Sequence, residues 1–408
     1  MIKAGGCWKH LIFGLCLSAS SLGLSASGLA MNAEAQDLGA IEQAISAVLA
    51  EYGASEHPTT YVGASVALRL SDDRTITVVA GDADREADIE MRTDHRLLGG
   101  SMGKTFVAAA LMALVEDGRV ALDERAAQYL GGQDWFDPLP NAAEVTLEQL
   151  LNHSSGIPID YFETEPIREA LRLSAVENRD FAGHGLTHQD LLRPLGGLEP
   201  LFEPGEAFHY SDANYTIIAF VVEHISGQTL EAFVDERFIQ PLGLTETERQ
   251  RREMPRLTAA YMHQRFQQTF PGVPTKAGEY ERLTYDPAFE WGGGGWVFTA
   301  RDLARWGDAW FSGEALSDEY LDLMRASLNH HGAADNDWSY GIGLQWQETG
   351  DGLERWYHGG YDPGSIGKVE YRPADDVTLA IMFNTVDIRY ERIGDAIWNA
   401  VLPLLESD

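Results

Sequence analysis

The sequence contains very little cysteine: Cys7 and Cys16 are the two cysteines among its 408 residues. Both lie within the first 35 residues, which have the features of a secretory signal and which we expect to be removed. The mature chain would then contain no thiol. This excludes disulfide bonds, cysteine-ligated metals and a cysteine nucleophile from the mature protein.

The signal interpretation depends on three features that follow one another. Lys3 and Lys9 supply positive charge, residues 11–30 are apolar, and Ala33-Glu34-Ala35 is a small-residue cleavage site. We therefore expect cleavage after residue 35 and a periplasmic or secreted protein. A lipid anchor on Cys16 is the alternative, although a leucine precedes it where such a site needs a small residue.

Positive charge is also scarce. The chain has 30 Lys and Arg residues against 63 Asp and Glu residues, so its formal net charge is -33. Such a surface repels nucleic acids and anionic membranes, and we expect neither as a partner. The carboxylates fit a saline environment, where salt screens their repulsion, and they equally fit an ordinary acidic secreted protein. Five of the basic residues are lysines, so Lys104 within an apolar helix needs a specific explanation.

Segments typical of other protein classes are missing as well. After residue 35 no run is long and apolar enough to span a bilayer, so we expect no stable membrane insertion. No glycine motif for phosphate or dinucleotide binding lies between a predicted strand and helix, and we expect no cofactor. His184 and His188 are four residues apart, but no glutamate accompanies them as in zinc-binding helices, and Gly185 weakens a helix there. We therefore predict no metal site.

The stretch with the clearest chemistry is Ser101-Met102-Gly103-Lys104, at the start of an apolar segment. Good helix formers continue from Phe106 to Val115, and Gly118 ends a helix that should be central because nearly all its faces are apolar. Residues three apart on a helix share a face, so the lysine amine can reach the serine hydroxyl. A nearby base and a helix N-terminus can activate a serine nucleophile. A serine that only caps the helix is the alternative.

The same Ser-x-x-Lys spacing recurs at Ser365 and Lys368. That copy leads into an alternating sequence typical of a strand, in which residues three apart face opposite sides. The first copy alone therefore has a geometry that would support catalysis.

Two further stretches contain groups that could assist a serine. Tyr210 precedes Ser211 and Asp212 at a predicted helix start, and a phenol beside a cationic lysine is shifted toward phenolate and can transfer a proton. Alternatively, Tyr210 only packs there while Ser211 or Asp212 caps the helix.

His358 and the two glycines after it indicate the end of a strand, where a ligand can approach backbone N–H groups. A purely structural histidine is the alternative.

The remaining patterns predict the fold. Segments 61–70 and 74–80 read as a β-hairpin, and a helix from 393 to 405 ends the chain. Further strand patterns occur at 291–297, 340–348, 367–371 and 377–384, and long loops are predicted at 157–208 and 263–290. We predict an α/β fold in which 36–121 and 290–408 form an antiparallel sheet flanked by helices. Residues 122–289 would be a mainly helical insertion, and the whole would form one catalytic unit.

In their order along the chain, these stretches resemble the motifs of the serine β-lactamase and penicillin-binding-protein superfamily. The similarity is to its branch of class C β-lactamases, DD-peptidases and carboxylesterases. Residues 101–104 match the nucleophile motif, 210–212 the Tyr-x-Asn motif and 358–360 the Lys/His-x-Gly motif. Further matches lie at 145–158, 197–212 and 294–306, and the resemblance extends over about residues 60–400. It implies a β-lactamase/transpeptidase-like fold.

The resemblance implies roles for the matching residues. Ser101 would be the acylated nucleophile, and Lys104 and Tyr210 would be its proton-transfer pair. His358 would bind a substrate carboxylate or support proton transfer. The backbone N–H groups of Ser101 and Tyr361 would form the oxyanion hole, and Gly359 and Gly360 would lie against the substrate.

Asp212 departs from the family pattern, which has asparagine at this position. An asparagine amide donates a hydrogen bond to an acylamino substrate, whereas an ionised aspartate can only accept. We therefore expect substrates with a free amine to gain over acylated ones, and we expect Asp212 to keep Lys104 protonated. Capping of the following helix by Asp212 is the alternative.

The function predicted from these residues is that of a serine hydrolase that forms an acyl-enzyme with an ester, an amide or a peptide. Its type would be that of a carboxylesterase or a D-amino-acid peptidase. Two alternatives stay open: a β-lactamase proper, and a penicillin- or peptidoglycan-binding module without turnover.

Overall fold

The structure of the protein is a computed structural model that describes residues 23–54, 60–262, 273–328, 338–349, 352–386 and 388–405. Residues 1–22 of the predicted signal lie outside the described residues, and cleavage after residue 35 stays a prediction.

Fourteen strands are present in the described chain. In chain order they are β1 (Gly63–Arg69), β2 (Thr75–Asp84), β3 (Ile89–Glu90), β4 (Leu97–Leu98), β5 (Glu248–Arg249), β6 (Ala260–Tyr261), β7 (Lys276–Glu279), β8 (Arg282–Leu283), β9 (Trp296–Phe298), β10 (Trp338–Tyr340), β11 (Gln345–Glu348), β12 (Glu354–Asp362), β13 (Ser365–Arg372) and β14 (Val377–Phe383).

Twelve α-helices are described, and several short 3₁₀ segments and one π-helical segment, Asp235–Ile239, connect them. The α-helices are α1 (Gly23–Gly53), α2 (Lys104–Glu116), α3 (Ala127–Leu130), α4 (Leu147–Leu151), α5 (Glu165–Glu177), α6 (His188–Leu192), α7 (Asp212–Ser226), α8 (Leu230–Val234), α9 (Gln240–Leu242), α10 (Ala300–Ser312), α11 (Asp318–Ala326) and α12 (Tyr390–Leu405).

The main sheet has eight strands in the order β10-β11-β12-β13-β14-β1-β2-β3, and its neighbouring strands are antiparallel. Its members come from residues 63–90 and 338–383, so distant segments of the chain assemble one sheet. The predicted α/β class and the antiparallel sheet built from both ends are confirmed. Two three-stranded sheets, β4-β9-β5 and β6-β7-β8, accompany it.

The centre of the main sheet is covered on both faces. Every residue of β1 and of β14 is buried. Helix α10 packs on these strands, while α1 packs on β2 and α12. The sequence of β14, Val-Thr-Leu-Ala-Ile-Met-Phe, is therefore almost continuously apolar, because neither face of the strand meets water. The predicted hairpin is present, with β1 and β2 paired from Gly63 opposite Gly81 to Arg69 opposite Thr75.

Helix α2 occupies the middle of the molecule, as its composition predicts. Its residues from Lys104 to Leu114 are all buried. It packs against α7 and α8, and the loop that precedes it contacts β12. An apolar helix thus fixes the residues at its N-terminus against β12, an interior strand of the main sheet.

Several predicted boundaries are wrong. The supposed loop 157–208 contains α5 and α6, and the supposed loop 263–290 contains β7 and β8. Strand β9 begins at Trp296 rather than at residue 291, and segment 340–348 contributes to the β10–β11 hairpin instead of one strand. Gly and Pro residues suggested loops in segments where short helices and strands are stabilised by packing against distant parts of the chain.

The segment 122–289 contains α3 to α9 and the short strands β5 to β8. Strand β5 pairs with β9, which lies outside this segment. The division into a sheet domain and a helical insertion stays a prediction.

No single helix of the described residues has the length and apolar composition needed to cross a membrane. Helix α7 and the helical segment Leu230–Leu242 meet that requirement only when taken together, and they are bent by 75° relative to each other. Most of α7 is buried in the protein's own core.

Candidate active site

Ser101 lies in the 3₁₀ turn Gly100–Gly103, immediately before α2, and Lys104 is the first residue of that helix. The Lys104 ammonium donates a hydrogen bond to Ser101 Oγ over 2.9 Å. Gly103 occupies the N-cap position of α2, and no side chain caps the helix. The alternative that Ser101 is only a helix cap is therefore wrong, whereas the predicted proximity of the serine and the lysine is present.

Lys104 is completely buried, and three acceptors surround its ammonium group. In addition to Ser101 Oγ, the ammonium donates to the carboxylate of Asp212 and to the backbone oxygen of Gly293. Burial alone would lower the lysine pKa, but the charges of Asp212 and Tyr210 and hydrogen bonds with both raise the pKa of Lys104 above its ordinary value. Lys104 is therefore an ammonium at neutral pH, as expected from Asp212.

Asp212 is the first residue of α7 and is almost completely buried. The cap of this helix is Ser211, whose Oγ accepts a hydrogen bond from the Ala213 N–H over 3.2 Å. The carboxylate of Asp212 faces Lys104 instead, so the alternative that Asp212 only caps α7 is wrong. Its Oδ1 accepts from Lys104, and among the described residues no donor contacts Oδ2. One carboxylate oxygen is thus left for another donor.

Tyr210 lies directly beside this pair. The Lys104 nitrogen is 4.9 Å from the centre of the Tyr210 ring, which also packs on the His153 ring at 4.1 Å between centroids. Burial raises the pKa of the Tyr210 phenol to about 12, although the Lys104 charge and hydrogen bonds with Lys104 and Ser101 oppose that shift. The predicted shift of Tyr210 toward phenolate is therefore wrong, because desolvation outweighs the lysine charge.

His358 faces the protein interior from the middle of β12, not from its end as predicted. Its Nδ1 is 2.6 Å from the backbone oxygen of Gly359, and its Nε2 is 2.7 Å from the hydroxyl of Tyr340. Burial and the charge of Lys104 lower the pKa of His358 to about 3. The imidazole is therefore neutral, and both of its nitrogens contact protein groups. Binding of a substrate carboxylate by His358, or its support of proton transfer, stays a prediction.

The backbone of the Ser101 turn lies directly against β12. Gly100 has a φ of 50°, and a Cβ atom on it would lie 2.7 Å from the backbone nitrogen of Tyr361. A Cβ on Gly360 would lie 2.0 Å from the backbone oxygen of Gly99. Glycine is therefore required at both positions, and the backbones of Ser101 and Tyr361 are held close together, as an oxyanion hole requires.

Gly359 faces the opposite side of β12 from His358 and Gly360. Its N–H donates to Gln345 Oε1 over 3.0 Å, and a Cβ atom on it would lie 3.1 Å from the Tyr390 hydroxyl. Of the two glycines predicted to contact a substrate, the structure thus brings Gly360 next to the Ser101 turn and places Gly359 against Gln345.

Further carboxyl groups are buried near Asp212. Asp160 Oδ2 accepts a hydrogen bond from the Asp212 N–H over 2.7 Å, whereas its Oδ1 is buried without a partner among the described residues. Burial and the charge of Asp212 raise the pKa of Asp160, and burial together with the charges of Asp362 and Asp212 raises the pKa of Glu290. The raised pKa values favour the protonated, uncharged form of both carboxyls.

Four residues of the site were not singled out from the sequence: the Lys104 acceptor Gly293, the His358 partner Tyr340, the Tyr210 neighbour His153 and the Asp212 partner Asp160. Gly293 belongs to a run of four glycines, and a Cβ there would lie 2.8 Å from the Asp212 side chain. The glycine run was therefore the one signal available; for the others the sequence offered no pattern distinct from core packing.

The other candidates from the sequence lie elsewhere. Ser365 Oγ donates to the backbone oxygens of Leu98 and Phe383, while Lys368 pairs with Glu370, so the second Ser-x-x-Lys copy does not form a pair. His188 stacks on Trp291 at 4.2 Å. Within the described ranges, no three His, Cys, Asp or Glu side chains gather into a possible metal site.

Comparison with known proteins gives a family match over most of the chain. The family model described as Beta-lactamase matches residues 46–401. Among curated proteins, a putative D-alanyl-D-alanine carboxypeptidase of Escherichia coli strain K12 is 32% identical over 143 residues, which are 34% of this chain and 30% of that protein. Esterase EstB of Burkholderia gladioli is 34% identical over 170 residues, 41% of each chain. The chain thus matches less than half the length of these two relatives.

Among solved structures, a D-stereospecific amidohydrolase from Streptomyces sp. is similar to the chain with a TM-score of 0.72 and 26% identity. The similarity covers 90% of this chain and 98% of that one. This agreement confirms the predicted β-lactamase/transpeptidase-like fold.

Proposed function

Because the chain belongs to the beta-lactamase family of serine hydrolases, we propose that it hydrolyses an amide or ester whose acyl group carries a free amine. Ser101 would be the nucleophile. The observation that carries the proposal is the position of Lys104, whose ammonium contacts Ser101 Oγ and the Asp212 carboxylate at once. The similar esterase and D-stereospecific amidohydrolase support the two bond types.

The proton of Ser101 must have an acceptor during attack on the substrate. Lys104 donates to Ser101 Oγ, so the hydroxyl proton is directed toward another acceptor. The phenol oxygen of Tyr210, whose ring lies beside the Lys104 ammonium, would be that acceptor. The pKa values of Lys104 and Tyr210 are both raised, so both hold protons at neutral pH. A base therefore arises only when this pair loses one proton, and the two groups titrate together.

In the acylation step, Ser101 Oγ bonds to the carbonyl carbon and its proton passes to the deprotonated pair of Tyr210 and Lys104. The carbonyl oxygen becomes an oxyanion that the N–H groups of Ser101 and Tyr361 stabilise. The tetrahedral intermediate then loses the amine or alcohol, which takes the proton from the pair. Water then attacks the acyl-enzyme by the same steps, and the carboxylic acid product is released.

Asp212 would select the acyl group. Its Oδ2 can accept a hydrogen bond from a substrate ammonium, whereas the carbonyl oxygen of an acylamino group would meet a second acceptor. A charged hydrogen bond contributes about 1.5 to 3 kcal/mol, which corresponds to roughly ten- to hundredfold in selectivity.

The test compares the p-nitroanilides of phenylalanine and N-acetylphenylalanine, in both enantiomers, at pH 7. We expect kcat/KM to favour the free amine by roughly ten- to hundredfold in the wild type, and the ratio to fall toward one in Asp212→Asn. Ser101→Ala should lose both activities. Equal ratios in the wild type and Asp212→Asn would show that Asp212 does not contact the acyl group.

A fluorescent penicillin distinguishes the two alternative functions. Rapid release of the label from the protein would indicate a β-lactamase, and a persistent adduct without any anilide hydrolysis would indicate a binding module. Because a penicillin side chain is acylated, we expect slow labelling relative to hydrolysis of the free-amine anilide.

A further inference from the structure

A large cavity contains none of the candidate catalytic residues. Its volume is about 750 Å³, within the range that binds small molecules, and Arg249 and Trp291 contribute to its lining. We call it the Arg249 cavity. The segment 291–294 contacts both sites, since Trp291 lines the cavity and the Gly293 oxygen accepts a hydrogen bond from Lys104.

Arg249 has hydrogen-bond donors that the protein does not use. The residue is nine-tenths buried, and its Nη1 donates to the backbone oxygens of Trp291 and Gly294 over 3.0 and 2.9 Å. In the part of the chain that the structure describes, Nε and Nη2 have no acceptor. Burial lowers the pKa of Arg249 to about 10, although nearby carboxylates oppose the shift. A buried guanidinium with unused donors favours an anionic partner, above all a carboxylate.

The other cations of the cavity are already paired. Arg251 forms an ion pair with Glu248, and Arg252 forms one with Asp180. Arg249 is therefore the arginine of this lining without an ion-pair partner, as far as the described residues extend.

Negative charge lies close to Arg249 in the same lining. Glu231 is exposed and has no ion-pair partner among the described residues, and Glu223 accepts one hydrogen bond, from the Leu230 N–H over 2.9 Å. The negative charges of Glu231 and Glu223 both raise the pKa of Arg249, so both act on its guanidinium. The cavity therefore presents a cation and an anion within one small volume, and a ligand that carries both charges fits this arrangement.

A flat aromatic wall completes the cavity. The rings of His188 and Trp291 are stacked, with 4.2 Å between their centres and 8° between their planes. Burial lowers the pKa of His188 to about 4, so the imidazole is neutral and adds no charge. An apolar or aromatic group can pack against such a surface.

From these three features we propose that the Arg249 cavity binds a free α-amino acid with an apolar or aromatic side chain. The carboxylate would contact Arg249, the ammonium would contact Glu231, and the side chain would lie against the wall formed by His188 and Trp291. If the proposed function holds, this ligand is also of the class released by the enzyme, so the cavity would be a product-binding site.

Occupancy of the cavity has a direct path to the active site. Arg249 holds the backbone oxygens of Trp291 and Gly294, and these residues flank the Gly293 oxygen that accepts from Lys104. A carboxylate bound to Nε and Nη2 pulls the guanidinium toward the cavity and weakens the Nη1 hydrogen bonds to those backbone oxygens. We therefore expect a bound amino acid to lower kcat without preventing substrate binding.

Calorimetry with D- and L-phenylalanine tests the proposal, with Ser101 first blocked by an organophosphonate. We expect one remaining site for at least one enantiomer, and no binding of phenylalaninamide or N-acetylphenylalanine, each of which lacks one charge. Glu231→Gln should weaken this binding roughly ten- to hundredfold. The matched control is Glu236→Gln, an exposed glutamate outside the cavity, which should leave the affinity unchanged.

Absence of a second site, or equal affinity in Glu231→Gln and Glu236→Gln, would overturn the proposal. Both variants change exposed side chains, so loss of the fold does not confuse the comparison. Should Ser101 resist the organophosphonate, the proposed function fails. The cavity is then tested by calorimetry on the unmodified protein, in which Glu231→Gln should lose one binding site relative to the wild type.

Discussion

At the scale of single residues, burial determines the protonation of the site. Three titratable side chains of the site, those of Lys104, Tyr210 and His358, are close to one another or share neighbouring residues. The pKa values of Lys104 and Tyr210 are nevertheless raised, whereas that of His358 is lowered. The lysine keeps its proton because Asp212 compensates its burial, whereas the histidine has no carboxylate partner among the described residues and becomes neutral. Charge proximity was visible in the sequence motifs, but desolvation was not, which is why the expected shift of Tyr210 toward phenolate was wrong.

The first prediction concerns the pH dependence of the wild-type reaction. The base is formed by loss of a proton from Lys104 and Tyr210, whose pKa values are both raised. For the N-acetylated anilide, which has no amine that titrates, we therefore expect kcat/KM to keep rising with pH through the alkaline range. Stopped assays between pH 6 and pH 10.5 check this, and a plateau reached near pH 7 would contradict it.

The second prediction concerns Asp212→Asn. Removing the carboxylate removes the charge that raises the pKa of Lys104, so the alkaline limb of kcat/KM should move to lower pH. The variant should also unfold more easily at pH 7, by about 3 kcal/mol, because the buried ammonium loses its counter-charge. This stabilisation is present below the ordinary lysine pKa of 10.5 and is lost as the pH rises through the raised value. If the alkaline limb of kcat/KM stays at the same pH in this variant, Lys104 is not part of the group that acts as the base.

At the scale of elements, the Ser101 turn depends on its contact with β12. Gly100 combines a positive φ with close contact to Tyr361, while Gly118 has a φ of 67° and no heavy atom within 4 Å of an added Cβ. These two glycines therefore separate the effect of backbone conformation from the effect of the contact.

We predict that Gly100→Ala lowers kcat/KM by more than a hundredfold, because a methyl group would push the Tyr361 backbone away from Ser101. Gly118→Ala should cost about 1 kcal/mol of stability and leave kcat/KM unchanged. Steady-state kinetics and chemical unfolding of both variants check the prediction. Similar losses of activity in the two would show that the contact with β12 has no special role.

Elements with a strong local pattern were predictable, and those that depend on distant contacts were not. The β1–β2 hairpin has strands rich in β-branched residues, α2 is apolar on nearly all faces, and α12 is amphipathic. All three are present where the sequence indicated. Helix α5, in contrast, lies in a segment that the sequence suggested was a loop. The position of His358 within β12 was missed because the two glycines after it suggested a strand end, whereas here they permit close contact with the Ser101 turn.

At the scale of the whole molecule, buried carboxyls make stability depend on pH. Asp362 accepts hydrogen bonds from the Tyr285 hydroxyl over 2.6 Å and from Gln250 Nε2 over 2.9 Å. Burial still raises its pKa to about 7, and the charge of Asp212 adds to the shift. Between its ordinary value near 4 and 7 the folded state binds more protons than the unfolded state, so stability falls as pH rises.

We therefore predict that the free energy of unfolding of the wild type decreases from pH 5 to pH 7.5, and that Asp362→Asn decreases less. Gln250 Oε1 is buried without a partner among the described residues, so it can accept a hydrogen bond from the new amide after rotation of the Gln250 side chain. Denaturant titrations at four pH values check this. A variant with the same slope as the wild type would show that Asp362 is not the titrating group.

The central claim, that Ser101 forms an acyl-enzyme, is tested most directly by mass spectrometry of the protein treated with an organophosphonate. We predict one covalent adduct, located by peptide mapping on Ser101 and absent in Ser101→Ala. Ser365→Ala, which removes the serine of the second Ser-x-x-Lys copy, should keep the adduct. An unmodified wild type, or an adduct that persists in Ser101→Ala, would contradict the account.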